Sequence, residues 1–263
     1  MTDDTPVLFH RDGAVAHLRF NRPLRLNAIS QELADSLSDA CRRIAADPSV
    51  RAVLLSGEGR GFMAGGDISA FHAAGANAPA VVDAIICAVH ESVKILTSLP
   101  APVIAAVHGP VAGAGISMML AADIIIAAEE SRFVLAYPRI GASPDGGATW
   151  ALPRVLGLRR ALGFALLGEE FDTQAALDLG LINKVVPAVL LLDQAKALAH
   201  RLAIGPTQAF GRTKALFRAS LDNDLATQLA AERTAFVAGA ATADFHEGVA
   251  AFLQKRPAKF TGH

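Results

Sequence analysis

The residues whose types and spacing best suit chemistry lie between Pro102 and Asp123, in the stretch PVIAAVHGPVAGAGISMMLAAD. The apolar run Pro102–Val107 predicts a buried strand, Gly109-Pro110 a turn, and Ile116–Ala122 the first turns of a buried helix. Between them stand the small residues Gly113, Ala114 and Gly115. A helix start carries unpaired backbone N–H groups and the positive end of the helix dipole. Small residues let a ligand approach those donors, so the stretch suits an anion or a developing oxyanion. The same pattern also serves simply to close a strand–helix turn. A carboxylate, Asp145, sits in Ser143-Pro144-Asp145-Gly146-Gly147, ahead of an apolar segment with Trp150 and Leu152. On the residues alone this is a turn, with Asp145 a candidate helix cap.

The elements that must position these residues can be read along the chain. Val15, Leu18 and Phe20 suggest a first strand, and Ser30 caps a helix with a Leu33, Leu37, Cys41, Ile44 stripe that stops near Asp47-Pro48. Residues 50–55 predict a second strand, and Gly59 to Asp67 a glycine-heavy loop. An Ala- and Gly-rich segment, Ala70 to Ala80, reads as mobile, and Val81 to Leu99, with His90, has helical spacing. Strands are predicted at Asp123 to Ala128 and Arg132 to Tyr137. Short strands followed by small-residue turns recur near Val53, Val103 and Phe133, which suggests a stacked, coiled architecture. After Pro187 the pattern turns all-helical, with amphipathic segments at Leu190–Leu202, Thr207–Ala219 and Leu225–Phe236.

Composition narrows the class. The chain has 263 residues, 52% of them hydrophobic and 19% charged, enough for a large core with apolar surplus for subunit interfaces. A net charge of −1 without a basic block argues against nucleic acid. Two cysteines, Cys41 and Cys87, exclude a disulfide framework and fit a reducing compartment. The acidic N-terminus lacks the apolar core of a signal peptide, and no apolar run reaches the ~20 residues of a membrane span. A cytoplasmic protein is expected. There is no G-x-G-x-x-G after a first strand, no P-loop, no zinc spacing and no G-x-S-x-G elbow.

Six pieces in order carry a resemblance. They are Asn21-Arg22-Pro23 with Leu26-Asn27-Ala28; Phe62-x-Ala64-Gly65-Gly66-Asp67-Ile68; the central stretch; Leu152-Pro153-Arg154-x-x-Gly157; Ala175 to Ile182 with Val185-Val186-Pro187; and Glu247-Gly248 with Phe252-x-x-Lys255-Arg256. Together, from about residue 8 to 260, they resemble the crotonase, or enoyl-CoA hydratase/isomerase, superfamily. The resemblance implies an α/β fold of the ClpP/crotonase type. In it a spiral of ββα units (residues 1–200) is followed by a helical region (201–263) for trimerisation and completion of the CoA site. It implies an acyl-CoA substrate, with no cofactor beyond the coenzyme A of that substrate and no metal. A homo-trimer or a hexamer made as a dimer of trimers is expected, without nucleic-acid or membrane partners.

Carried over by motif position, the backbone N–H groups of Gly66 and Ala114 form an oxyanion hole for a thioester enolate. Ala114 stands where the family usually has glycine. Related hydratases carry two glutamates where this chain has Ser117 and Tyr137, so the two-glutamate hydration mechanism is not supported. Double-bond isomerases of the superfamily, and isomerases of the ring-opening phenylacetyl-CoA pathway, carry a single acid near the turn that holds Asp145. This makes Asp145 the candidate proton shuttle. The 4-chlorobenzoyl-CoA dehalogenases also place an Asp in this turn, with a preceding helix histidine matched by His90 and an aromatic residue matched by Tyr137. The resemblance therefore leaves an isomerase first, a hydratase or other acyl-CoA lyase second, and dehalogenase-like hydrolysis third. A catalytically inactive acyl-CoA or RNA binder is the non-enzyme alternative. It also points to Arg25, Leu26, Ala28, Ala64, Asp67 and Ile68 around the CoA nucleotide, and to Phe252 and Lys255 reaching a CoA held mainly by a neighbouring subunit.

Overall fold

The apolar runs of the sequence become strands covered on both faces. The computed structural model describes residues 5–263. Its strands are β1 (Val7–Asp12), β2 (Val15–Phe20), β3 (Ala52–Gly57), β4 (Val103–Val107), β5 (Pro110–Ala112), β6 (Ile124–Ala128), β7 (Arg132–Val134), β8 (Glu170–Asp172) and β9 (Lys184–Val186). The main sheet runs β1-β2-β3-β4-β6-β9, and a smaller one runs β5-β7-β8. Only the β1–β2 hairpin is antiparallel in the main sheet; β2 to β9 pair in parallel. Side chains alternate between the faces of a strand. Val53, Leu55, Val103, Ala105, Ile125 and Ala127 accordingly enter one core, and Ala52, Leu54, Ile104, Ala106, Ile126 and Ala128 the other. Burial on both faces is why these strands read as unbroken apolar runs.

The larger core is closed by α1 (Gln31–Ala45) and by residues of the helix at 78–98. Ser30 caps α1 as predicted, its Oγ accepting from the Leu33 N–H at 3.3 Å, and Leu33, Leu37, Cys41 and Ile44 are buried. The Ala70–Ala80 segment is helical rather than irregular. It forms α2 (Ile68–Ala74), a 3-10 turn at Gly75–Asn77, and the start of α3 (Ala78–Ser98). Its alanines favour helix, and Asp67 supplies the cap by accepting from the Ala70 N–H at 3.3 Å. Three further corrections concern short elements. A strand, β1, precedes the predicted first strand; β5 is inserted between Gly109 and Gly113; and the strand at Arg132 ends at Val134, leaving Tyr137 in a 3-10 turn, Tyr137–Ile140.

The remaining helices are α4 (Ala114–Leu120), α5 (Ala148–Leu156), α6 (Leu158–Leu167), α7 (Thr173–Asp178), α8 (Leu191–Ala203), α9 (Thr207–Ala219), α10 (Leu225–Ala240) and α11 (Ala243–Leu253). The α8 helix spans residue 200 and belongs to the second core, where Leu191, Ala195, Ala199 and Ala203 form an i, i+4 stripe over the sheet. The α9 helix is tied to β4 by Asp123. That carboxylate accepts from the Val103 N–H at 2.8 Å and pairs with Lys214 at 2.6 Å and Arg218 at 2.9 Å. An apolar groove of about 820 Å³ lies among α9, α10 and α11, with Phe217, Phe236 and Phe252 in its walls. Among the described residues no helix is long and apolar enough to cross a membrane, and no cluster of His, Cys, Asp or Glu has metal-binding geometry.

Candidate active site

Asp145 is held by its backbone, which leaves its carboxylate for other use. Gly146 and Gly147 have φ of +59° and +87°, so the chain turns sharply after Asp145 before α5 begins. The Asp145 carbonyl accepts from the Ala148 N–H at 3.1 Å and from the buried Ser117 Oγ of α4 at 2.7 Å. The Gly146 N–H donates to His90 Nε2 on α3 at 3.2 Å. A Cβ on Gly146 would lie 2.7 Å from Ser117 Cβ, so this approach needs glycine. The carboxylate caps no helix. Its Oδ1 accepts a short hydrogen bond from the Tyr137 hydroxyl, and Oδ2 has no hydrogen-bond partner among the described residues.

Tyr137 is itself half-buried. Burial pushes its phenol well above the ordinary value of 10, and the neighbouring Asp145 charge adds to the effect. The hydroxyl is therefore protonated and acts as a donor. His90 sits behind the turn: its Nε2 is taken by the Gly146 N–H, and it does not line the cavity into which Asp145 faces.

That cavity has a volume of about 570 Å³. Its apolar wall is Val82, Ile85, Ile86 and Val89, the i, i+3, i+4, i+7 face of α3. Gly66 and Ala114 also line it. The Ile29 N–H donates to the Gly65 carbonyl at 2.8 Å and the Asp67 N–H to the Ile29 carbonyl at 2.9 Å. The Gly66 N–H between them has no acceptor within the described residues. Ala114 is the first residue of α4, where no carbonyl four residues back is in place for its N–H. The next residue must be glycine, because a Cβ on Gly115 would sit 2.2 Å from the Met63 carbonyl oxygen. Two backbone donors without acceptors among the described residues, and the Asp145 carboxylate, thus share a cavity whose other lining is mostly apolar apart from Arg139.

The whole chain has close relatives. Residues 10–263 match the family model for enoyl-CoA hydratase/isomerase. The chain is 40% identical over 257 residues to the 1,2-epoxyphenylacetyl-CoA isomerase of Escherichia coli (strain K12), covering 97% of this chain and 98% of that protein. It is equally similar, 40% over 257 residues with 97% and 98% covered, to a protein of Rhodobacter capsulatus named "Probable enoyl-CoA hydratase". The crystal structure of an enoyl-CoA hydratase from Polaromonas sp. JS666 superposes with a TM-score of 0.92 at 35% identity, covering 97% of this chain and 99% of that one. The chain belongs to the enoyl-CoA hydratase/isomerase family.

Membership makes it an acyl-CoA enzyme with the crotonase fold, as the sequence motifs predicted. The residues expected around CoA have varied placements. Arg25 is exposed on a 3-10 turn at Pro23–Arg25, and the Leu26 carbonyl accepts from the Ala64 N–H at 3.0 Å. Ala64 and Ile68 line the cavity. The Ala28 carbonyl accepts from the Arg22 guanidinium. Asp67 is occupied internally: it caps α2 and pairs with Arg22 at 2.9 Å. Burial works to raise its carboxyl, but the Arg22 hydrogen bond and the Ala70 N–H hold it below the usual carboxylate range. Phe252, 83% exposed, and Lys255 lie at the end of α11, and neither lines the Asp145 cavity.

Two residues important to this loop escaped functional reading. Arg22 is one, through its contacts to Ala28 and Asp67. Asn27, fully buried, is the other: its Nδ2 faces the carbonyls of Glu58, Gly61 and Phe62 at 2.9, 2.8 and 3.1 Å, and its Oδ1 accepts from the Arg22 N–H at 2.8 Å. It stitches the loop before α1 to the glycine-rich loop after β3. The α3 wall was legible from its helical spacing, since four apolar residues at that spacing predict one face.

Proposed function

We propose that this chain is an acyl-CoA isomerase that moves a double bond from position 3 to position 2, with Asp145 as its single proton carrier. The thioester oxygen is held by the Gly66 and Ala114 N–H groups. Asp145 Oδ2 removes a proton from the α-carbon, and the electron pair passes into a dienolate whose oxygen those donors stabilise. The same oxygen of Asp145 returns the proton at the γ-carbon, so the carboxylate ends as it began and no water is consumed. Paired donors of this kind supply roughly 3–4 kcal/mol each when aimed at the developing charge. A positioned carboxylate adds about 10²–10⁴-fold.

The observation that carries this reading is that, among the described residues, Asp145 is the one carboxylate lining the cavity. Hydration as in the two-glutamate enzymes needs a second acid to direct water. Ser117 is buried and bonded to the Asp145 carbonyl, and Tyr137 is a bound donor. Hydrolysis of the dehalogenase kind needs a base for water, whereas His90 Nε2 is engaged behind the turn. Relatives named as an acyl-CoA isomerase and as a probable enoyl-CoA hydratase are equally similar at 40%, so the choice between the two chemistries rests on the single carboxylate of the described cavity lining. We also assign the exposed apolar faces of α9 to α11 to contacts between copies in a trimer or hexamer, bringing Phe252 and Lys255 towards a neighbour's CoA.

The test offers the purified protein a 3-enoyl-CoA and, separately, a 2-enoyl-CoA, and follows absorbance of the conjugated thioester. Gain of conjugation from the 3-enoyl substrate, with the 2-enoyl substrate stable, is expected. Loss of the 2-enoyl signal at comparable rate would replace the isomerase reading with hydration.

A further inference from the structure

Among the described residues the cavity lining contains two charged side chains, Asp145 and Arg139. Asp145 is accounted for by the chemistry; Arg139 is not. It belongs to the exposed 3-10 turn Tyr137–Ile140 and has no ion pair or side-chain hydrogen bond among the described residues. This is unlike Arg22, Arg154 and Arg218, whose guanidiniums hold carboxylates at 2.9, 3.0 and 2.9 Å. An arginine stem packs along apolar surface while its planar fork waits for an oxyanion, and a carboxylate fits that fork with two hydrogen bonds.

Placement decides which oxyanion. Gly66, Ala64 and Ile68, beside the loop expected to meet CoA, lie on the glycine-loop side of the cavity. Arg139 stands on the segment running from Tyr137 to Asp145, together with Ile140 to Ser143. It shares the wall that carries Asp145. We propose that Arg139 binds a carboxylate at the far end of the acyl group, so that the site favours CoA thioesters of dicarboxylic acids. The inference rests on the reading of the cavity as an acyl-CoA site, and not on the isomerase chemistry within it.

Binding of unreactive saturated thioesters tests it without turnover. Hexanoyl-CoA and adipoyl-CoA differ by the terminal carboxylate, and their affinities would be measured by calorimetry for the wild type, Arg139→Gln and Arg139→Lys. Adipoyl-CoA is expected to bind the wild type about tenfold more tightly, as one charge-assisted pair at a partly exposed site allows. Arg139→Gln should erase the difference while leaving hexanoyl-CoA within about twofold, and Arg139→Lys should keep part of it. The preference should shrink at 0.5 M salt, because the pair is partly exposed. Equal binding of the two thioesters to the wild type would overturn the inference and leave the acyl-CoA site intact. An equal loss for both thioesters and for free CoA in Arg139→Gln would overturn it too, assigning Arg139 to the CoA phosphates. Failure of both thioesters to bind the wild type would overturn it together with the acyl-CoA reading.

Discussion

The Tyr137 hydroxyl donates to Oδ1 of Asp145, eight residues further along the chain, and this bond divides the carboxylate into a held oxygen and a free one. A shuttle that must visit two carbons of one substrate gains from being fixed by one oxygen while the other moves the proton. Tyr137→Phe keeps the ring and removes the donor. Loss of one hydrogen bond to a charged group, about 1.5–3 kcal/mol, predicts a fall in kcat of roughly 10–100-fold with KM within about twofold. Steady-state kinetics on a 3-enoyl-CoA would measure it, and an unchanged kcat would remove Tyr137 from the machinery.

The phenol can also be watched directly, because the chain contains one tyrosine. Burial, followed by the adjacent Asp145 charge, raises its folded-state pKa above 10. The unfolded chain therefore loses this proton first, and the stability that Tyr137 contributes declines as pH rises past about 10. Ultraviolet titration should place phenolate formation higher in the folded protein than in denaturant. Coincident titrations would contradict the buried, donating hydroxyl.

A second titration lies far from the site. His17 is buried in β2 with its Nε2 2.7 Å from Ser56 Oγ, and its pKa falls from 6.5 to about 4. Burial is the largest cause, with the charges of Arg19 and Lys196 next. The unfolded state then binds the proton between pH 6.5 and about 4 while the folded state refuses it. Stability is full above 6.5 and lost as pH falls through that window, by about 3 kcal/mol in total. Urea midpoints at pH 7.5 and 4.5 would show the loss, and His17→Asn should flatten this part of the profile.

Asn27 makes a prediction about the glycine-rich loop. Asn27→Ala leaves the carbonyls of Gly61 and Phe62 and the Arg22 N–H without their side-chain partner in a buried setting. A destabilisation of about 2–4 kcal/mol is expected from denaturant unfolding. Because this loop carries Gly66, KM for the acyl-CoA should rise as well.

Much of this arrangement was legible in the chain because local signals agreed with the tertiary structure. The Ser30 cap, the apolar β3 and β4 runs, the α3 spacing and the small residues at 113–115 each follow from a local rule. The misses have physical causes. Three-residue strands such as β5 and β8 are too short to show a period of two, and β1 mixes polar with apolar residues because its burial is incomplete. An alanine- and glycine-rich run looks flexible until Asp67 caps it. Asn27 looked like a plain motif residue because the three carbonyls it faces lie more than thirty positions away, brought near only by the fold. His90 was read only as the match of a helix histidine, and spacing alone did not tell that its ring meets the Gly146 backbone instead of the cavity.

The most direct test of the account is the rate of Asp145→Asn on a 3-enoyl-CoA. The amide preserves the shape of the turn and the oxygen facing Tyr137 while removing the proton carrier. A loss of about 10²–10⁴-fold in kcat, with acyl-CoA affinity and folding stability retained, is the predicted result. Activity within a few-fold of wild type would contradict the central claim, because among the described residues no other carboxylate lines the cavity to take its place.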